Sequence, residues 1–233
     1  MKNLGYVYTR LIYDLGEAEI CGDTREILNW SATWNPEDTF VHGQLRSSNK
    51  DYIEKEFRWY LSQDPNIALI EPHAKLWRKV ADENGNVNSN YGYHMIPQIP
   101  RIVEEFGKDI NTRRATIFIG SRSISEIPTE DVPCTNTIWF VVRDNKLHCT
   151  VTMRSNDAVW GFLNDTAWFT VFQRSLLMEL NEKLETNLEL GSYTHIAHSM
   201  HIYKRHWNLL KSMASFYSTP LKIDQPIWKS SIK

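Results

Sequence analysis

The sequence predicts an α+β protein, and three stretches carry that prediction. Residues 50–62 (KDYIEKEFRWYLS) set Tyr52, Ile53, Phe57, Tyr60 and Leu61 on one helical stripe. TIWFVV (137–142) and LHCTVTMR (147–154) are β-type runs on either side of the turn residues RDNK. The heavily apolar TAWFTVFQRSLLMEL after Asn164-Asp165 reads as a central helix buried on most sides. Hairpin-connected strands packed on long helices place the chain in the α+β class.

The remaining elements follow in order. Asp64-Pro65 stops the first helix. DENGNVNSNYG (82–92) is turn-rich and reads as an ordered surface loop. Arg113-Arg114 precede the β-type run ATIFIG (115–120). Asn164-Asp165 is expected to start the long helix, with an acidic residue at the positive end of its dipole. GSYTHIAHSMHIY (191–203), rich in β-branched and aromatic residues, reads as a strand leading into a last helix.

With 233 residues the chain can bury a substantial core as a single domain spanning 1–233. A net charge of −2 argues against a nucleic-acid surface, so an anionic ligand must be held by a local cluster. Cys21, Cys134 and Cys149 form no CxxC pair, which points to a reducing, cytosolic setting and away from structural zinc. There is no signal-peptide core and no apolar run of membrane-spanning length. His73, His94, His148, His195, His198 and His206 make no recognisable ligand set, so no metal is expected. The nine tryptophans fit a large core better than a ligand-stacking cleft.

Individual residues leave their roles open. Cysteine is more often a small buried hydrophobe than a nucleophile, and mid-strand Cys149 fits that description. Cys134, in VPCTNT just before a strand, is the better nucleophile, with Arg113, Arg114 and Arg154 as cationic neighbours for a thiolate. The arginine pair and MRSND (153–157) are either solvated charge or an anion clamp of guanidinium forks plus the Ser155 hydroxyl. Glu56, near Tyr52 and Tyr60 by helical spacing, is either a boundary residue or a proton-handling group in an apolar cleft. His201 and Tyr203 alternate along one strand and can face one ligand.

Taken together, these segments resemble the thymidylate synthase superfamily. LWRKVADENGNVNSNYG (76–92) is similar to its stretch from a cleft tryptophan to a Tyr-Gly turn. TRR (112–114) resembles its dibasic phosphate loop, VPC (132–134) its nucleophile turn, KLHCTVTMRSNDAVWGFLND (146–165) its RS-x-D strand-to-helix signature, and HIY (201–203) its sugar-binding end. All five keep the family's order, which chance does not readily produce. The resemblance implies a three-layer α/β/α fold with a twisted mixed sheet, packed sheet-to-sheet in a homodimer.

Position by position, the resemblance implies that Cys134 adds to C6 of a pyrimidine nucleotide. It gives Arg154 and Ser155 to the 5′-phosphate, helped by Arg113 and Arg114 from a partner subunit, with Arg25 as a further phosphate arginine. His201 and Tyr203 would bind the sugar, and Asn164 and Asp165 the base. Glu56 would handle protons, while Trp77, Tyr91 and Asp157 line the side that takes 5,10-methylenetetrahydrofolate.

Two departures narrow the substrate. The family typically has Asn where this chain has Asp165. An amide suits the acceptor O4 and donor N3–H of uracil, whereas a carboxyl suits the amino group and N3 of cytosine. Thr135 follows the cysteine in place of the usual His. These features are similar to the phage-type deoxycytidylate hydroxymethylases of the superfamily, and dCMP is the expected substrate. The alternatives are hydroxymethylation of CMP or dUMP, thymidylate synthesis, or a catalytically silent nucleotide-binding subunit.

Overall fold

In the computed structural model, which describes residues 2–119, 129–211 and 215–229, the chain opens with helix α1 (Leu4–Glu17). Leu4, Val7, Tyr8, Leu11, Ile12 and Leu15 recur at helical spacing and are all buried, and the Asn3 side chain caps the first turn through Tyr6 N at 2.8 Å. Strands β1 (Glu19–Cys21), β2 (Thr24–Trp34) and β3 (Asp38–His42) follow. Helix α2 (Lys50–Ser62) is capped by Asn49 and ends at Gln63 in a left-handed conformation, φ 53°.

Short helices α3 (Leu76–Val80) and α4 (Tyr91–Met95) lead to α5 (Ile99–Lys108) and strand β4 (Thr116–Phe118). The expected hairpin is present as β5 (Thr135–Arg143) and β6 (Lys146–Met153), joined through Asp144 and Asn145 at φ 51° and 59°. Two consecutive left-handed residues are what a tight hairpin turn with right-twisted strands requires. Strand β7 (Asn156–Asp157), helix α6 (Gly161–Lys183), strand β8 (Glu189–Tyr203) and strand β9 (Tyr217–Pro220) complete the set.

The main sheet is mixed, in the order β1-β2-β8-β6-β5-β4, with β7 pairing β8. Its neighbours are antiparallel except that β8 runs parallel to β6 and β7, the crossover being α6. β3 and β9 form a separate antiparallel pair. Helix α6 contacts β6 and β8 as well as α2, α5 and β3, so Trp168, Phe169, Phe172 and Leu176 are all enclosed. Its hydroxyls accept that burial by bonding one turn back: Thr166 to Phe162 O, Thr170 to Thr166 O and Ser175 to Val171 O. Gln173 donates to Leu147 O and Ser192 O, bridging the two parallel strands beside their register shift.

Three local expectations are corrected. Helix α6 begins at Gly161, so Asn164 and Asp165 lie inside its first turns and the acidic side chain does not cap it. Only residues 82–86 form a surface loop; Asn88, Ser89 and Asn90 are buried and hold structure together. Ser89 donates twice to Asp131, at 2.7 Å each, and Asn90 donates to Trp59 O and Asp64 O. Beyond β8 the chain forms a 3₁₀ segment (Lys204–Leu209) where a last helix was expected. Gly120, at the end of the predicted run 115–120, lies outside the described residues, and no described helix is long and apolar enough to cross a membrane.

The contact between α4 and α2 depends on Gly92. A Cβ built there would lie 1.7 Å from Tyr60 O. Gly92→Ala must push the two helices apart, and urea denaturation should show a loss of about 3 kcal/mol, the upper end of ordinary overpacking costs. A loss under about 0.5 kcal/mol would mean the contact yields freely.

Candidate active site

The hairpin register brings the candidate nucleophile to an arginine. Counting back from the turn, β5 and β6 pair without interruption to Thr137↔Thr152, then shift by one residue so that Thr135 meets Met153. That bulge puts Cys134 opposite Arg154, whose backbone N–H donates to Cys134 O at 2.8 Å. The Arg154 guanidinium closes the corner by donating to Pro133 O at 3.1 Å and Val132 O at 2.7 Å. Arg154 is exposed and Ser155 half-buried, at the point where the ladder against β8 breaks before resuming as β7.

Three acids converge on this corner. Glu56, buried on α2, accepts from Tyr52 OH at 2.8 Å, and Trp77 Nε1 donates onward to Tyr52 OH at 3.3 Å. Asp165, on the second turn of α6, is only partly covered as a residue, yet its carboxyl accepts from Asn156 Nδ2 at 2.7 Å within the protein. Asp157 in β7 accepts from Val159 N and pairs in register with His201.

Desolvation dominates the protonation of Glu56, Asp165, Cys134 and Tyr91. Burial, reinforced by the Asp165 charge, pushes Glu56 up to about 8 despite the Tyr52 and Tyr60 hydroxyls. Burial pushes Asp165 up to about 7, opposed by the Asn156 amide and helped by Asp157. The Cys134 thiol is pushed up to about 11 by burial; Arg154 pulls it down, while Asp165 and Asp131 push it further up. Tyr91, buried on α4, is raised by burial and by the Asp165 and Cys134 charges. In the single chain, then, the thiol stays protonated at neutral pH while the carboxyl of Asp165 is poised near it.

The sugar-side candidates are adjacent: the His201 and Tyr203 rings meet edge-on at 5.0 Å, with the Arg205 guanidinium 4.2 Å from the Tyr203 centroid. Among the described residues, His201 Nδ1 and Asn164 Oδ1 are buried without a hydrogen-bond partner. Such atoms are costly unless a ligand supplies the missing bond. Trp77 and Tyr52 present a half-buried aromatic wall beside Glu56, backed by Trp59 at 4.9 Å from Trp77. That wall suits a planar heterocycle such as a pterin.

Other candidates stand apart in the single chain. Arg113 and Arg114 are exposed ahead of β4. Arg25 sits on β2 opposite Ile202, donating to Gly16 O and Ala18 O at 2.9 and 2.8 Å and lying over Trp207. Residues not singled out from the sequence also belong to the site. Tyr52 and Tyr60, noted only as neighbours of Glu56, supply its hydroxyls, and Asn156 lies inside the RS-x-D segment. Arg46, which donates to Val159 O at 2.9 Å and faces Asp157, had no sequence signal. No group of three or more potential metal ligands occurs among the described residues.

Comparison with known proteins places the chain among relatives by sequence and by fold. The family model described as thymidylate synthase matches residues 22–225. The deoxycytidylate 5-hydroxymethyltransferases of Enterobacteria phages T4 and T2 are each 32% identical over 190 residues, covering 77% of this chain and 76% of theirs. Among solved structures, thermostable thymidylate synthase A from Bacillus subtilis aligns with a TM-score of 0.73 over 90% of this chain and 83% of its own, at 17% identity. At that identity the likeness speaks for the fold.

The raised Glu56 carboxyl has a consequence for stability. The folded chain keeps a proton that the unfolded chain releases near 4.5, so stability is lost as pH rises from there through about 8. Glu56→Gln removes that loss. Relative to the parent, the variant should gain on the order of 2 kcal/mol between pH 5 and pH 8 in urea denaturation. An equal difference at both pH values would show that Glu56 ionises freely in the fold.

Proposed function

Because the chain belongs to the thymidylate synthase family, we propose that it is a deoxycytidylate 5-hydroxymethyltransferase, converting dCMP, 5,10-methylenetetrahydrofolate and water to 5-hydroxymethyl-dCMP and tetrahydrofolate. The observation that carries this reading is the partly covered carboxyl of Asp165, bonded to the Asn156 amide and raised to about 7 beside Cys134 and Glu56. A carboxyl held near neutrality can donate a proton to N3 of cytosine and accept from the 4-amino group. The same group meets uracil O4 and N3–H less well, because it has no fixed donor for O4 once ionised. Identity of 32% to the phage enzymes that bear this name supports the same choice.

In this reading Cys134 bonds to C6 of the ring, and Asp165 stabilises the protonated base so that the thiolate can add and C5 becomes nucleophilic. The bound folate would supply a one-carbon unit at the formaldehyde oxidation level to C5; the C5 proton is then lost and tetrahydrofolate departs, leaving an exocyclic methylene on the ring. Trp77, Tyr91 and Asp157 hold it, Trp77 as the wall for its ring. Glu56, with Tyr52 and Tyr60 on its oxygens, takes the proton of the water that hydroxylates the new exocyclic carbon. Expulsion of Cys134 from C6 then restores the aromatic ring.

Arg154 and Ser155 grip the 5′-phosphate where the ladder opens, and the unpartnered His201 Nδ1 with Tyr203 takes the sugar. Asn164, whose Oδ1 is also unpartnered, contributes at the base. Arg25 joins the phosphate set by giving up its bonds to Gly16 and Ala18. A second copy of the chain completes the site with Arg113 and Arg114. Two features support such a homodimer. The sheet face bearing Ser31, Thr33, Thr150, Thr152, Thr194 and Ile196 is not fully covered in the single chain. Trp139, on that same face, donates to Arg113 O at 3.2 Å and so ties the arginine loop to it. Added positive charge also meets the need of a thiol that stands too high to ionise alone.

Tritium release from the 5-position separates the possibilities. With methylenetetrahydrofolate, the chain should release tritium from labelled dCMP without forming dihydrofolate. Release from dUMP with dihydrofolate formation would identify a thymidylate synthase and defeat the reading. Cys134→Ser should lower turnover at least about 1000-fold while dCMP still binds in calorimetry, as expected for loss of a covalent nucleophile; retained turnover would exclude Cys134 from the chemistry. Asp165→Asn should invert base preference, with dCMP turnover falling about 100-fold and dUMP turnover gaining relative to it. An unchanged dCMP-to-dUMP ratio would remove Asp165 as the base reader.

A further inference from the structure

Behind Asp165 runs a buried chain of hydrogen bonds that reaches away from the ligand side. Tyr193 OH lies 2.9 Å from His195 Nδ1, His195 Nε2 lies 3.1 Å from Asn156 Oδ1, and Asn156 Nδ2 donates to Asp165 Oδ2 at 2.7 Å. Tyr193 and His195 are fully buried, and Asn156 nearly so. The rings of Trp30, Trp34 and Phe162 surround the imidazole. The polarity of the chain is set by its members. Asn156 turns its amide donor to the carboxyl, so its oxygen must accept from His195 Nε2–H, and His195 Nδ1 then accepts from Tyr193. Burial holds His195 neutral, lowering it to about 3, as this single tautomer requires. The backbone keeps room for the contact: a Cβ on Gly161 would come within 2.9 Å of Asn156 Nδ2 and 3.4 Å of Asp165 Oδ2.

We propose that Asn156, locked by His195 and Tyr193, is a positioning residue that reserves Oδ2 of Asp165 as an acceptor and so directs the carboxyl proton to Oδ1, making His195 and Asn156 determinants of base preference. This deepens the proposed function and rests on Asp165 reading the base. The carbonyl-type oxygen of a carboxylic acid is the better acceptor, so an amide N–H on Oδ2 favours the proton on the other oxygen. The groups facing Asp165 from the packed elements are Glu56 on α2, Asp157 on β7 and the Cys134 thiol before β5. Tyr52, Tyr60, Tyr91 and Tyr193 lie around it as neutral phenols held above their ordinary value by burial. None of these donates a hydrogen bond that fixes which oxygen is protonated; the Asn156 amide does.

The test has two readouts on the intact protein. Carbon-13 labelling of aspartate carboxyls, with the Asp165 signal assigned by Asp165→Asn, follows its titration without any ligand. Tritium release gives the dCMP-to-dUMP ratio of kcat/KM. Asn156→Leu and His195→Leu should move the Asp165 midpoint upward and narrow the ratio about tenfold or more. Gln at 195 places an amide where Nε2 stands, whereas Asn at 195 reaches only the Tyr193 side. His195→Gln should therefore keep the parental midpoint and hold the ratio within about threefold, and His195→Asn should lose both. This polar pair carries the test if the leucine variants do not fold. Folded variants with the parental midpoint and ratio would overturn the proposal. A parent enzyme that prefers dUMP would defeat the dCMP reading instead, and the carboxyl titration would still decide whether Asn156 and His195 govern Asp165.

Discussion

A helix of 23 residues covered on nearly every side imposes the constraint around which the molecule is arranged. Helix α6 fills the crossover between parallel strands β6 and β8, so its polar side chains must find partners inside the protein. The threonines turn back on their own helix and Gln173 spans the strand gap. Asp165 has neither recourse. It is a partly covered carboxyl at the edge of the core, held by a single amide donor and by a pKa near neutrality. The chemistry of the site follows from that compromise, because the same desolvation that unsettles the charge keeps a proton available.

The electrostatics of the corner are lopsided. Glu56, Asp157, Asp165 and Asp131 influence one another or the thiol, while Arg154 is the cation that lowers Cys134. A half-buried thiol in such company is a poor nucleophile until more positive charge arrives. In the single chain the thiol therefore stays protonated beside its arginine. In the proposed function, arginines from a second copy would redress that imbalance.

The sequence exposes what is local. The stripe of α2, the hairpin and its turn, and the β8 run were readable because side-chain periodicity repeats within a few residues. Arg154 was within reach only as one of three candidate cations for Cys134, because regular pairing counted from the turn would set the cysteine against Ser155. The bulge that makes the match could not be counted, because nothing in TNT marks an extra residue. Asn164-Asp165 looked like a cap because short polar residues favour helix starts. In the fold the acid is spoken for by Asn156, and the helix begins earlier, at Gly161, where a side chain would crowd that contact. Asn88, Ser89 and Asn90 read as surface, yet each is buried because it serves as a partner to distant backbone or to Asp131. The link from His195 to Asn156 spans 39 positions, and no periodicity encodes it. Helix α1 carries an ordinary amphipathic pattern that goes unnoticed when the N-terminus is inspected only for an export signal.

The bulge between Thr135 and Thr137 also separates two kinds of evolutionary freedom. The turn at Asp144-Asn145 lies at the far end of the hairpin from Cys134 and Arg154. Lengthening or shortening the tip, provided the two strands keep their pairing, leaves the cysteine facing its arginine. Pairing the extra residue into a regular ladder would set Cys134 against Ser155, whereas deleting it would remove the bend and leave Cys134 opposite Arg154. Descendants of this hairpin are thus expected to drift at the tip, and at the bulge to lose the extra residue more readily than to pair it, a pattern of tolerance set by ladder arithmetic alone.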